Sequence, residues 1–255
     1  MATRAYLTGA VGIEAHGVFV GEREFPGRQG RLLFAFLVAE RHRSVLPDEL
    51  AEELWGEAVP SSWDRTITSL VSKLRAAFGA FDVTDVHIEK SFGCYAFQGP
   101  TDLWVDVEAG QRALEQAEAA IQAGRPLDAG TWSQVAFHVL RRPFLVGDDG
   151  PWASAKREEL RLGLLRALAC LTTFWYENGE EFRAIWGAEQ GIKIDCFHEP
   201  SYQALMRAHA KSGNRAEVIR AYDRCRKVFE RELGTDPSPT TSQVFQQLIE
   251  PNRSR

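Results

Sequence analysis

A predicted amphipathic helix close to the beginning of the chain constrains the fold most. Between residues 63 and 78, apolar side chains recur at steps of four, three, one, three and four, so they line one face of a helix. These side chains are Trp63, Ile67, Leu70, Val71, Leu74 and Phe78. Ser61 or Ser62 supplies a hydroxyl suited to the N-cap, and Gly79 suits a left-handed C-terminal residue. The pattern predicts a helix with one buried face.

Two shorter helices are predicted before this one. The run from Leu32 to Ala39 is almost entirely apolar, which is typical of a helix enclosed by its neighbours. Pro47 is tolerated in the first turn of a second helix, where Asp48 would lie at the positive end of the helix dipole, and Gly56 would end it. Three short helices, the last with two distinct faces, form the layout of a helix-turn-helix.

The polar face of the third helix suits contact with DNA. Its side chains are short or cationic and can reach base edges and phosphates from a helix in the major groove. They are Arg65, Thr68, Ser69, Ser72 and Lys73. The alternative from this helix alone is an ordinary amphipathic helix whose outer face meets water.

These residues resemble the winged-helix region of the Streptomyces antibiotic regulatory proteins. In that family an LWG motif, a proline-containing loop and a VSxLR-like helix follow in this order, and here they are Leu54-Trp55-Gly56, Pro60 and Val71 to Arg75. The resemblance implies a small N-terminal sheet within Ala5 to Val20 and a wing hairpin within His87 to Phe97. In that family a glycine is followed directly by a tyrosine in this hairpin, whereas here Cys94 separates Gly93 from Tyr95.

The resemblance continues through Trp104 to Glu250, which is similar to the all-helical bacterial transcriptional activation domain of the same family. The clearest part is SGNRAEVIRAYDRCRKVFERELGTDPSP at Ser212 to Pro239. We therefore expect a mainly α fold with a small β component. Its predicted parts are a winged helix at 1–98, a tetratricopeptide-like domain at 102–250 and a tail at 251–255.

A repeat in the second half supports this prediction without the family. Residues 34 apart match in pairs, and 34 is the period of tetratricopeptide helix pairs. The pairs are Leu168 with Tyr202, Leu171 with Leu205, Gly179 with Gly213, and Ile185 with Ile219. An irregular helical bundle with a chance spacing is the alternative.

Docking as in the family implies specific contacts with double-stranded promoter DNA. Arg65, Thr68, Ser69 and Ser72 would contact bases, whereas Lys73, Arg75 and Lys90 would contact phosphates. Asp64 would be repelled by a phosphate. The family also implies a contact with RNA polymerase, for which the acidic second helix is a candidate, although that face can equally be merely solvated. Two copies on adjacent sites, as a homodimer, would bind more strongly by effective concentration.

The net charge argues against DNA binding. Residues 1–100 contain 10 Lys and Arg against 13 Asp and Glu, a net charge of −3, whereas DNA-binding domains are usually basic. The charges are unevenly distributed, since the second helix is acidic and the third carries Arg65, Lys73 and Arg75 against Asp64 alone. We therefore expect weak, salt-sensitive binding by each monomer. The alternative is a helical-repeat adaptor with a degenerate winged helix.

Other function classes are not expected. The sequence contains no phosphate-binding GxxxxGK loop, no GxSxG and no HExxH, and its four cysteines are scattered. We therefore predict a protein that is not an enzyme and that has no cofactor and no metal. The sequence has no run of about 20 apolar residues and no apolar block near its beginning, so we expect neither a membrane contact nor a secretory signal, and a cytoplasmic location.

Overall fold

The computed structural model describes residues 2–250. In chain order its strands are β1 (Arg4–Tyr6), β2 (Gly12–Ala15), β3 (Val18–Gly21), β4 (His87–Ser91), β5 (Cys94–Gln98) and β6 (Trp104–Val105). Its helices are α1 (Gly27–Ala39), α2 (Pro47–Trp55), α3 (Trp63–Ala80), α4 (Asp106–Gln122), α5 (Pro126–Leu140), α6 (Pro151–Glu177), α7 (Glu181–Ile194), α8 (Glu199–Lys211), α9 (Arg215–Leu233) and α10 (Pro239–Ile249). The expected mainly α fold with a small β component is confirmed.

The chain forms two compact units. The first contains the residues up to Gly110 together with Val139–Leu160, and the second contains Gln111–His138 and the residues from Arg161 onward. This division is not contiguous in sequence, because the segment after α5 returns to the first unit. The domain limits drawn from the sequence at residues 98 and 102 stay a prediction, and the tail at 251–255 lies outside the described residues.

The first three helices of the chain have the burial that their sequences predict. The residues of α1 from Leu32 to Val38 are buried, as expected for an enclosed helix. Pro47 opens α2, and Gly56 follows its end with a positive φ of 58°. The apolar stripe of α3 is buried from Ile67 to Phe78, whereas Trp63 is only half-buried.

The predicted start of α3 is confirmed, but its predicted end at Gly79 was wrong. Ser62 is the N-cap residue, but its side chain makes no capping hydrogen bond. Gly79 lies inside the helix, which continues to Ala80, and the nearby residue with a left-handed backbone is Asp82, with a φ of 55°. Two further helical residues, Gly79 and Ala80, therefore follow the last buried residue, Phe78.

A four-stranded sheet contains an element that the sequence did not indicate. The strand order is β3-β2-β1-β6, and β6 pairs in parallel with β1. Directly after β6, the fully buried Asp106 accepts hydrogen bonds from the backbone N–H groups of Leu7 and Thr8 and from the Thr8 hydroxyl. Buried carboxylates need such donors, so the return of the chain to β1 is fixed at this point.

A segment between α5 and α6, which we call the strap (residues 141–152), also packs on the first unit. The Gly9 N–H donates to the Pro143 carbonyl at 2.8 Å. Asp148 is fully buried and accepts hydrogen bonds from Arg28 and Arg31 of α1, each at 2.5 Å. The ring of Trp152 lies 5.0 Å from that of Phe36, centroid to centroid. The strap therefore contributes both a charged and an aromatic contact to the helix-turn-helix.

The second unit contains the predicted repeat. The tight turns after α6 and α8 contain Gly179 and Gly213, with φ of 74° and 73°, which supports their matched positions 34 residues apart. Leu168 and Leu171 are buried in one repeat, as are Tyr202 and Leu205 in the next. Within residues 2–250, no helix is both long and apolar enough to cross a bilayer.

Candidate nucleic-acid interface

The exposed face of α3 is formed by side chains that follow the helical period. Arg65, Thr68, Ser69 and Ser72 are exposed, and so is Lys73 beside them. Residues three, four and seven positions apart share one side of a helix, so the four predicted base-contacting residues lie on one surface. The buried stripe from Ile67 to Phe78 holds that surface outward. The face is narrow, polar and free of bulky side chains, as a groove-reading helix requires.

The β4–β5 hairpin, which we call the wing, lies beside α3. Its register pairs Ile88 with Phe97 and Lys90 with Tyr95. The backbone of Tyr95 also exchanges two hydrogen bonds of 2.8 Å with Val45, in the loop between α1 and α2. The wing is therefore held by the helix-turn-helix from two directions, because its other contact is with α3 itself.

Arg75 makes that contact. Its Nε and Nη2 donate to the Ile88 carbonyl oxygen at 2.8 and 2.6 Å. Two of its five N–H donors are used in this way, and the residue remains exposed. Arg75 was predicted only as a phosphate contact, and the structure adds a role in positioning the wing.

Thr68 also belongs to the exposed face and contacts the wing. Its Oγ1 lies 3.4 Å from the hydroxyl of Tyr95, whose ring is buried. Thr68 and Arg75 are seven residues apart and share the side of α3 that meets the wing. A base contact by Thr68 would therefore come from the edge of the exposed face that meets the wing.

Lys90 lies over the ring of Tyr95, with its Nζ 4.9 Å from the ring centroid. The pKa of Lys90 is raised, first by a hydrogen bond with the Tyr95 hydroxyl and also by the negative charge of Asp64. Lys90 is therefore a cation at neutral pH and sits close to the beginning of α3. The same proximity means that Asp64 offsets part of its field.

Two cations of α3, Arg65 and Lys73, have no ion-pair partner in the described part of the chain. Among residues 2–250, no carboxylate lies within ion-pair distance of Arg65 or Lys73. Their charges face solvent and are not neutralised inside the protein, so phosphates can approach them. The local field is thus more positive than the net charge of −3 for residues 1–100 suggests.

The acidic side of α2 has a different environment. Arg43 donates to Glu49 at 2.9 Å and lowers the pKa of that carboxyl. Glu53 accepts a hydrogen bond of 3.2 Å from the Trp152 N–H, and burial raises its pKa. Asp48, Glu52 and Glu57 remain exposed. Part of the acidic face is therefore structural, and a smaller part is available to a partner.

One exposed residue at this interface was missed by the sequence reasoning. Phe92, at the tip of the wing, is fully exposed, with a relative accessibility of 104%. A signal was present, since Phe92-Gly93 stands between two strands at the place where Asn-Gly is the usual pair. No group of three or more metal-ligating side chains occurs in the described part of the chain.

A winged helix-turn-helix followed in the chain by a tetratricopeptide-like helical unit defines a class of transcription regulator. The model for the family described as bacterial transcriptional activator domain matches residues 105–249, more than half of the chain. The chain belongs to this family, and its resemblance to the Streptomyces antibiotic regulatory proteins is confirmed. The family consists of transcriptional regulators and not of enzymes as a rule.

Individual relatives agree with this assignment. Regulatory protein AfsR of Streptomyces coelicolor is 27% identical over 222 residues, which are 87% of this chain and 22% of AfsR. Regulatory protein DnrI of Streptomyces peucetius is 26% identical over 231 residues, which are 83% of this chain and 80% of DnrI. The chain thus spans about a fifth of the length of AfsR.

A solved structure shows the same fold. The structure of Mycobacterium tuberculosis EmbR in complex with a low affinity phosphopeptide matches with a TM-score of 0.85 at 23% identity. The match covers 97% of this chain and 65% of that one. The likeness therefore includes both the winged helix and the helical unit.

Proposed function

We propose that this protein is a sequence-specific DNA-binding transcriptional regulator, most simply an activator, that places α3 in the major groove of promoter repeats. The observation that carries the proposal is the pair of unneutralised cations, Arg65 and Lys73, on the same helix as a row of small polar side chains. Small hydroxyls allow the helix backbone to approach base edges, and the cations supply attraction to DNA.

In this arrangement each residue has a distinct task. Arg65 donates two hydrogen bonds to the edge of one guanine, and Ser69 and Ser72 contact neighbouring bases. Lys73 and Lys90 bind phosphates on the two sides of the groove. Arg75 binds a phosphate with the donors that the Ile88 carbonyl leaves free, and Thr68 contacts a base from the edge next to the wing.

The exposed acids of α2 and of the loop after it are proposed to contact a basic surface of RNA polymerase. Asp48, Glu52 and Glu57 are exposed, whereas Glu49 and Glu53 have partners within the protein. Two copies bound to adjacent repeats would raise the affinity of each through effective concentration, which compensates for the modest basic charge.

The second candidate is a helical-repeat adaptor whose winged helix no longer binds DNA. The net charge of −3 over residues 1–100 favours it. The two candidates differ in what they require of Arg65. A DNA reader depends on the exposed arginine beside the small polar side chains of α3, whereas an adaptor does not.

The test begins with selection of bound duplexes from random and genomic DNA. Affinities for the selected duplex and for an unrelated one are then measured by anisotropy at two salt concentrations. We expect a preference for the selected duplex and a steep loss of affinity with salt. Arg65→Ala should weaken binding to the selected duplex about 10- to 100-fold, with less effect on the unrelated duplex.

Arg220→Ala is the matched control. Arg220 is an exposed arginine of α9 that pairs with Glu217 in the second unit. Its removal changes the net charge equally and should leave DNA binding unchanged. If no duplex is enriched, or if both variants bind like the unaltered protein, the adaptor is the better description.

A further inference from the structure

The tip of the wing has a conformation that its sequence does not favour. Ser91 pairs with Cys94, so the turn consists of Phe92 and Gly93 alone. Both have a positive φ, 48° and 83°, as in a type I′ turn. Glycine and asparagine adopt this region readily, but a bulky phenylalanine does so only at a cost. Phe92 is therefore a poor choice for the turn itself.

No packing of the Phe92 ring against the described residues offsets this unfavourable backbone conformation. Its side chain is fully exposed, more than any other large hydrophobic side chain of the described part of the chain. Burying a phenylalanine is worth about 2 to 3 kcal/mol relative to leaving it in water. A partner that receives this ring would therefore recover a sizeable free energy.

The position of Phe92 relative to α3 is fixed. Arg75 on α3 holds the Ile88 carbonyl, and Thr68 on α3 lies against the Tyr95 hydroxyl. From Ile88 to Phe92 the strand advances about 13 Å. That length is similar to the roughly 12 Å width of the major groove, so the tip lies near the border between the groove that α3 would occupy and the minor groove next to it.

The charge of the wing favours DNA on one of its faces. Side chains paired across a hairpin share a face, and neighbouring ones alternate. Lys90 is paired with the buried Tyr95 and so lies on the face that meets α3, whereas Glu89 is paired with Ala96 and lies on the other. A cation two residues from the tip, on the side of the exposed face of α3, would hold the phosphates that border the groove.

We propose that Phe92 inserts into the minor groove beside the site of α3 and wedges open a base step, so that it selects flanking sequences that unstack easily. Apolar wedges of this kind kink the duplex and favour flexible pyrimidine–purine steps. The inference rests on the proposed function, since it requires that α3 binds DNA. It assigns to one exposed side chain a preference for sequence beyond the bases that α3 reads.

The decisive variant is Phe92→Asn. Asparagine suits a positive φ, so the turn should be at least as stable as before and the variant should fold. The probe is the selected duplex with 2-aminopurine placed in turn at each step of the flank. For the unaltered protein we expect a rise in fluorescence at one step. For Phe92→Asn we expect that rise to vanish and the affinity to fall about tenfold, with Phe92→Leu in between.

Phe182→Asn is the matched control, because Phe182 is a largely exposed phenylalanine of the second unit. It should change neither the fluorescence nor the affinity. If the unaltered protein binds its duplex in an Arg65-dependent way but gives no 2-aminopurine signal, the wedge is wrong and the proposed function stands. If Phe92→Asn loses activity only when RNA polymerase is present, Phe92 contacts the polymerase and the wedge is again wrong. If no duplex is bound, the proposed function itself fails.

Discussion

The first unit contains two helices that place their cations in opposite ways. On α1, Arg28 and Arg31 both bind the buried carboxylate of Asp148, from the strap. On α3, Arg65 and Lys73 have no carboxylate partner among residues 2–250. Both helices carry two such cations and belong to the same compact unit. They differ because the cations of α1 face a buried carboxylate, whereas those of α3 face solvent.

This difference separates stability from binding. The removal of a cation bonded to a buried carboxylate takes a hydrogen-bond donor away from that carboxylate in an apolar environment. A cation that faces solvent can be removed with little effect on folding, since most exposed substitutions change stability by less than about 0.5 kcal/mol. The arginines of α1 therefore stabilise the fold, whereas the exposed cations of α3 are available to the DNA that we propose as their ligand.

The largest effect is expected for Asp148→Ala. Arg31, only 17% exposed, would lose the buried carboxylate and keep only its longer ion pair with Glu22, at 3.5 Å, whereas Arg28 is 66% exposed and partly solvated. We expect a loss of roughly 2 to 4 kcal/mol in the free energy of unfolding, less than for a fully buried pair because Arg28 is solvated. Urea denaturation followed by tryptophan fluorescence measures it.

Arg28→Ala is the control for the exposed partner and should cost less than about 1 kcal/mol. At temperatures where the Asp148→Ala variant is folded, its affinity for DNA should be unchanged. A variant that keeps its stability but no longer binds DNA would show that the strap takes part in binding, and the contrast between α1 and α3 would not hold.

The sequence predicted α3 well because its information is local. The buried positions from Ile67 to Phe78 follow a period of 3.6 residues, and the exposed residues are the ones between them. Pro47 and Gly56 fixed α2 in the same way, through the backbone preferences of single residues. The family resemblance then added the wing, whose strands lie where they were expected.

The sequence could not indicate the contacts that hold the first unit together. Asp148 is 117 residues from Arg31, and a two-residue strand such as β6 is too short for a periodic pattern. The double task of Arg75 was hidden for the same reason, because it depends on the Ile88 carbonyl and not on any neighbouring side chain. Such pairings arise only when the tertiary fold brings distant residues together.

A smaller effect is expected for Arg75→Lys. This variant tests the comparison between α1 and α3, because Arg75 both holds the wing and is proposed to bind a phosphate. Lysine keeps the charge but cannot donate twice from a planar group to the Ile88 carbonyl. We expect hydrogen exchange in β4 and β5 to become faster and DNA affinity to fall about fivefold to tenfold, while the slope of log K against log salt stays the same.

Arg75→Ala should in addition lower that slope by about one unit, since a phosphate contact is lost. If the lysine and alanine variants have equal slopes, Arg75 does not contact a phosphate and only positions the wing. If neither variant changes exchange in the hairpin, the bond to Ile88 does not stabilise it.

Lys73→Ala isolates a pure phosphate contact. Because Lys73 is exposed and unpaired, stability should be unchanged, and the slope of log K against log salt should fall by about 0.9. The loss should be similar for the selected and the unrelated duplex, because phosphates carry no sequence information. Lys227→Ala, at an exposed lysine of α9, is the control and should leave both affinities as they were. A loss confined to the selected duplex would instead place Lys73 at a base.

The smallest effect concerns Glu53, the acid of α2 that the strap covers. Burial raises its pKa above the ordinary value of 4.5, although the hydrogen bond from the Trp152 N–H partly opposes the shift. A carboxyl whose pKa is higher in the folded state favours folding when protonated, so its contribution is lost as the pH rises through the folded pKa. At pH 7 Glu53 is thus mildly destabilising, and below about pH 4 it is not.

Glu53→Gln keeps an oxygen that can accept from the Trp152 N–H and removes this penalty. We expect its Tm to exceed that of the unaltered protein by on the order of 1 °C at pH 7, and the difference to disappear as the pH falls below 4.5. Glu57→Gln removes the same charge from an exposed site just after α2 and should show no such dependence on pH. If both variants shift the Tm equally at every pH, the effect comes from the overall acidity of α2 and not from the cover of the strap. The unpaired exposed acids would then matter to folding, although the unpaired cations of α3 do not.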